Sequence, residues 1–159
     1  MLQSVSMKAG AGGYWKRFNE KFNPNIIKQI NEAACVSAVG AILAERFGIS
    51  LTQENLLKKL GNWSNSRDLA TALNKLDSSQ KWLGGHPQKV LEYTQFLLEN
   101  RVPMGAIFRQ GNPLGHAVLI EGLNEKGMVM IKYPFDQTEY EMKIEDVYQV
   151  LSEVVFRKQ

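Results

Sequence analysis

The hydrophobic period of the chain changes once, near Arg101, and that change limits the architectures open to it. Before it, apolar residues recur every three or four positions: Val36, Val39, Leu43 and Phe47, then Leu56, Leu57 and Leu60, then Leu69, Ala72, Leu73 and Leu76. Such spacing lays an apolar stripe along one side of a helix. After it come short apolar segments bounded by Gly, Pro and Asn: VPMGAIF, HAVLIEGL, GMVMIKY and TEYEMKI. In the last of these Tyr140, Met142 and Ile144 alternate with charged neighbours, as in a strand with one solvated face. Helices first and strands second make an α+β chain, expected as a helical N-terminal half packed on a C-terminal antiparallel sheet.

Local signals place the boundaries. Gly48 sits where a left-handed cap would close the first helix, and Thr52 and Gly61 bracket the second. A third helix is expected over Ser66 to Leu76 and a fourth from about Pro87, which opens it, to Glu99. IEDVYQVL reads as a short helix and EVVF as a closing strand. Ala38, Gly40, Ala41 and Ala44 keep the first helix thin, which suits a buried central helix lying close to its neighbours. A chain of 159 residues, 44% hydrophobic, supports one ordinary core rather than two.

Charge is uneven. The first 28 residues hold Lys8, Lys16, Arg17, Lys21 and Lys28 against Glu20 alone, and Gly10, Gly12 and Gly13 lead into Tyr14, Trp15, Phe18 and Phe22. This reads as a flexible basic and aromatic leader over residues 1–24, ahead of a single domain over 25–159. Its aromatics either dock on the core or, interleaved with cations, contact nucleic acid or a partner. No run of about 18 apolar residues spans a bilayer, and the start lacks a signal-peptide pattern. One cysteine forms no internal disulfide, and with two histidines it builds no zinc cage or cluster without several carboxylates, so no metal or other cofactor is expected. The net charge of +3 and pI near 9.0 permit an anionic partner without requiring one.

Cys35 is the candidate for chemistry. Near a helix start, unpaired backbone N–H groups and the helix dipole favour the thiolate that nucleophilic attack needs. A base is also required, and His116 opens an apolar run directly after a glycine. Taken singly, a cysteine among alanines is more often a small core hydrophobe and a lone histidine a structural residue. His86, in a Gly-Pro loop, reads as a surface turn residue, the carboxylates Glu139, Glu141, Glu145 and Asp146 as a solvated face, and Trp63 and Trp82 as core edges beside the third helix.

Order and context join the two. Gln29 lies six residues before Cys35, and some 80 residues later GHAVLIEGLNEKGMVMIKYP supplies histidine, strand, turn, strand and Tyr-Pro. From about Gln29 to Phe156 the chain resembles the bacteriocin-processing branch of the papain-like cysteine peptidases, and more closely the papain-like C-terminal domains of bacterial polymorphic and contact-dependent growth inhibition toxins. The resemblance implies a papain-like fold with a cysteine-headed central helix, a hydrolase with Cys35 as nucleophile and His116 as general base, and Gln29 as an oxyanion donor. Two positions depart from the family: Val36-Ser37 stands after the cysteine where glycine and a small residue are usual, and Tyr133 replaces the aspartate before proline that orients the histidine. Tyr133 through its hydroxyl, or Asp136 through a different turn, is left to take that place.

The function expected is that of an antibacterial toxin domain, delivered at the end of a larger surface protein into the cytoplasm of a target bacterium, acting as a monomer on an intracellular target and held in check by an acidic immunity protein. One alternative is RNA cleavage on the same scaffold, with His116, Arg109 and Lys132 contacting the substrate. Another is a non-catalytic peptide-binding domain.

Overall fold

The computed structural model describes residues 5–10, 13–31, 33–62, 64–77, 81–86, 91–109 and 115–159. Its elements in chain order are β1 (Val5–Gly10), β2 (Gly13–Phe22), α1 (Cys35–Arg46), α2 (Gln53–Leu60), α3 (Ser66–Leu76), β3 (Trp82–Gly85), α4 (Leu91–Glu99), β4 (Met104–Phe108), β5 (His116–Leu123), β6 (Val129–Tyr133), β7 (Thr138–Met142), α5 (Ile144–Val150) and β8 (Leu151–Arg157). The strands form one sheet in the order β1-β2-β7-β6-β5-β4-β8-β3, with every neighbouring pair antiparallel.

The sheet separates two apolar layers. On one face α1, α2 and α3 bury Val39, Leu43, Leu56, Leu69 and Leu73 against Ala117, Leu119 and Val155. On the other, Leu97 and Leu98 of α4 and Val147 and Val150 of α5 join Val118, Ile120, Ile131 and Tyr133. Each fully buried side chain of this size contributes about 1.5–3 kcal/mol, so both faces are needed for a sheet this wide. The helices therefore do not form a separate half: α4 and α5 cover the face opposite α1.

The helix boundaries follow the local chemistry. Thr52 Oγ1 accepts from Asn55 N to start α2, and Asn65 Oδ1 accepts from Asp68 N to start α3. Gly48 takes the left-handed conformation after α1, at φ +75°. Proximity of α1 to the sheet depends on Gly105 of β4, where a Cβ would stand 2.6 Å from Val155 Cγ1 and 3.2 Å from Val39 Cγ1. Residues 87–90, where the fourth helix was expected to begin, and Trp63 lie outside the described residues; His86 is exposed and Trp82 is buried, as expected.

The N-terminal segment is the main correction. In place of a flexible leader, β1 and β2 form a hairpin, and β2 pairs with β7 inside the sheet. Trp15, Arg17 and Phe18 are all buried. A register shift between Phe18 and Lys21, with Asn19 at φ +54°, marks a bulge in β2. The basic residues that suggested a flexible arm include a buried arginine paired with the half-buried Asp136, and the docking of the aromatics on the core holds for Trp15 and Phe18 while Phe22 stays exposed.

Candidate active site

Cys35 is the first residue of α1. The turn before it is tied by Asn31, whose side-chain oxygen accepts from Ala33 N at 2.8 Å and whose carbonyl accepts from Ala34 N at 3.2 Å. The thiol thus stands at the helix start, packed across the layer against Ala117 of β5, and the backbone N–H groups of Ala117, Val36 and Cys35 favour its charged form. It is only 6% exposed. Burial pushes the thiol above its ordinary range, outweighing those N–H groups and the charge of Arg109, which pull it down. At neutral pH the resting group is a thiol.

His116 begins β5, one residue before Ala117, which packs in the same cluster as Cys35. Gly115 makes that position possible, since a Cβ there would lie 2.5 Å from Ile107 Cγ2 and 2.9 Å from the Phe108 carbonyl oxygen. The imidazole, 4% exposed, meets the hydroxyl of Tyr133 through Nδ1 at 2.5 Å. Trp15 and Phe135 stand edge-on to it, with ring centroids 5.9 and 5.7 Å away. Burial, then the nearby Arg17 charge, holds the imidazole below its usual pKa, with Asp136 opposing. Burial, reinforced by Tyr140, pushes the Tyr133 phenol well above its ordinary range, so it stays neutral and either donates to or accepts from Nδ1.

For His116 to accept a proton, its lone pair has to be on Nε2. Nδ1 then carries hydrogen and Tyr133 Oη accepts it, the arrangement a carboxylate enforces in other triads. The phenol provides the same geometry without the charge.

The remaining sequence candidates are placed as follows. Asp136 is engaged elsewhere: its carboxylate accepts from Thr138 Oγ1 at 2.5 Å and pairs with Arg17 at 3.2 Å, so of the two residues left open beside the histidine, Tyr133 makes the bond. Gln29 is buried in the segment leading to Cys35; its backbone N–H donates to the Pro134 carbonyl at 3.3 Å, and its side-chain amide donates to the Asn31 carbonyl at 3.0 Å. Arg109 is bound to Glu153 at 2.9 Å and to Ser152. Lys132 pairs with Glu121 at 3.0 Å, and strand alternation puts it on the opposite face of β6 from Tyr133.

Sequence reasoning missed three contributors. Arg17 and Trp15 reach the site from β2 and were read as leader. Gln53 clasps the Gln29 segment, accepting from Ile30 N at 2.7 Å and donating to the Lys28 carbonyl at 2.9 Å. Its position at the head of an amphipathic helix carried no signal for that role.

The architecture and the cysteine-headed helix define a papain-like cysteine peptidase fold, in the form found in peptidase domains of bacteriocin-processing transporters. A double glycine motif protease from an AMS/PCAT transporter, solved with its leader peptide, superposes with a TM-score of 0.63 over 84% of this chain and 89% of that one, at 16% identity. The peptidase domain of Streptococcus ComA, a bifunctional ABC transporter of a quorum-sensing pathway, gives a TM-score of 0.65 over 82% of this chain and 95% of that one, at 17% identity. In sequence, the chain is 31% identical over 150 residues to Cysteine protease effector 1 of Escherichia coli, covering 94% of this chain. It spans 30% of that relative's length. No family model matches the chain. Among the described residues no helix is long and apolar enough to cross a membrane.

Proposed function

We propose that the chain is the catalytic domain of a delivered antibacterial effector that cleaves protein targets through a Cys35 thiol and a His116 base. The observation that carries this reading is the meeting of the head of α1 with the head of β5, where the only cysteine in the chain is buried in one cluster with Ala117, the residue after His116. In the reaction, His116 Nε2 takes the thiol proton as sulfur bonds to the peptide carbonyl carbon. Backbone N–H groups at the head of α1, with Gln29, stabilise the oxyanion. The C–N bond then breaks, the amine leaves with the proton from His116, and water hydrolyses the thioester by the same route in reverse.

Burial of both groups bears on the substrate. A cysteine 6% exposed and a histidine 4% exposed leave access only to a slim backbone. Glycine next to the scissile bond suits such a cleft, in keeping with the double glycine motif named for a protein of the same fold. The relative's name as an effector, and the small part of its length that this chain spans, support delivery as one portion of a larger protein. A contact-dependent growth inhibition system, action in the target cytoplasm as a monomer, and an acidic immunity protein that covers the Cys35 cleft belong to the same proposal.

RNA cleavage is the less supported reading, because Arg109 and Lys132 are held in ion pairs with Glu153 and Glu121. The test is expression in bacteria of the wild type, Cys35→Ala and His116→Ala, with mass spectrometry of new protein termini and an RNA gel. New termini that vanish in both variants support the peptidase. Discrete tRNA or rRNA fragments that persist without the thiol overturn it.

A further inference from the structure

Arg17 is the least expected residue near the site. It is 1% exposed, far from the solvated position an arginine normally takes. Its guanidinium lies 4.9 Å from the ring centroid of Tyr133, 4.5 Å from that of Tyr140 and 5.4 Å from that of Trp15. Nη1 donates to Asp136 at 3.2 Å and to Thr138 Oγ1 at 3.4 Å, with Glu20 at 3.8 Å. Burying the guanidinium costs solvation that its partner carboxylate, 27% exposed, only partly offsets, so the pair is weak evidence of a stabilising role. Its position against the ring that holds His116 suggests another use.

We propose that Arg17 is a positioning residue for His116: held by Asp136, its guanidinium seats the Tyr133 ring so that Oη stays in line with Nδ1. The inference rests on reading Cys35 and His116 as the thiol centre. The planar guanidinium packs on ring faces and forks toward a carboxylate at once, which a lysine cannot do. Arg17 and Asp136 also cancel each other's charge beside a neutral triad member. The titratable and charged groups around His116 and Arg17 are Cys35 from α1, Arg17 and Glu20 from β2, Tyr133 from β6, Asp136 from the following turn and Tyr140 from β7, with Arg109 acting on Cys35. Removing Arg17 leaves Asp136 to favour the imidazolium, and removing the Asp136 charge leaves Arg17 to oppose it.

The chain has two histidines and one cysteine, so both groups can be followed singly. The experiment titrates the His116 imidazole by NMR, assigned with His86→Gln, in the wild type, Arg17→Gln, Arg17→Lys and Asp136→Asn. Alkylation of Cys35 by iodoacetamide and hydrolysis of a Gly-Gly peptide are measured on the same samples. Arg17→Gln is expected to move the His116 titration up, and Asp136→Asn to move it down, each by about half a unit or more. Arg17→Lys is expected to keep the titration near that of the wild type yet lower hydrolysis about tenfold, because charge survives and the planar contact does not. Unchanged titrations, or shifts of the same sign, overturn the proposal. If Arg17→Gln does not fold, Asp136→Asn reads the charge and Arg17→Lys reads the seating, and both outcomes must hold. A wild type that cleaves no peptide would sink the peptidase reading; a wild type that cleaves, with Arg17→Lys cleaving equally well, would overturn the positioning role whatever the titrations show.

Discussion

The hydroxyl of Tyr133 meets Nδ1 of His116 at 2.5 Å, in the place where the family resemblance implies an aspartate. A phenol orients the ring but brings no negative charge to an imidazolium. Tyr133→Phe keeps the stack on Phe135, whose ring centroid is 5.6 Å away, and deletes only the bond. One hydrogen bond of about 1–3 kcal/mol is lost, so thiol-dependent cleavage is expected to fall about tenfold to a hundredfold with the fold intact. Cleavage rate beside thermal unfolding of the same variant checks this, and an unchanged rate would show that Tyr133 does not orient the base.

A raised thiol and a lowered imidazole describe a resting pair that is neutral on both sides. Iodoacetamide should therefore alkylate Cys35 more slowly at pH 7 than it alkylates an ordinary thiol. The rate should keep climbing above pH ~8.5, where a free cysteine is already half ionised. A rate plateau on the acid side would mean a preformed thiolate–imidazolium pair and would refute this account.

Stability should be greatest between pH ~6.5 and ~8.5. His116 is held below its usual pKa, so its contribution is present above the unfolded value and is lost as pH falls. Glu153 follows on the same side at lower pH: burial pushes it up, but hydrogen bonds from Ser66 and the Arg109 charge bring it below its ordinary range. Cys35, Tyr133 and Tyr140 are all raised, and their contributions are lost as pH climbs past the unfolded values. Thermal unfolding across pH checks the shape. A midpoint still rising above pH 10 would contradict the burial of the two phenols.

Trp15 tests the corrected N-terminal segment. Its indole is buried against Phe108 and His116, and Nε1 donates to Tyr140 Oη at 2.9 Å. Trp15→Ala is expected to cost about 3–5 kcal/mol in denaturant unfolding, against almost nothing for a residue of a loose leader. Trp15→Phe, which keeps much of the ring and loses the N–H, should fall between.

The helices that position the thiol were readable because their signals are local. Thr52, Gly61 and Gly48 act within one turn of the elements they bound. The strands after Arg101 announced themselves by alternation and by turns such as NEKG. The residues supporting His116 carried no such mark: an arginine becomes a core residue only through a carboxylate far along the chain, and the bulge at Asn19 broke the period of β2. The four-residue β3 was equally silent, since its identity as a strand lies in its pairing with β8. For the histidine's partner, composition left Tyr133 and Asp136 level. The decision was made by Thr138 and Arg17, which occupy the aspartate.

The bond from Arg17 to Asp136 spans 119 positions, so the surroundings of His116 are closed by joining the first part of the chain to the last. Closing a loop of that length carries an entropic cost that must be met before the contact rewards it. Until then the proposed thiol centre lacks the support that Arg17 and Asp136 give to the surroundings of its histidine. Under the proposed delivery as an extended chain, the Cys35–His116 centre would travel unassembled, and folding on arrival would complete it.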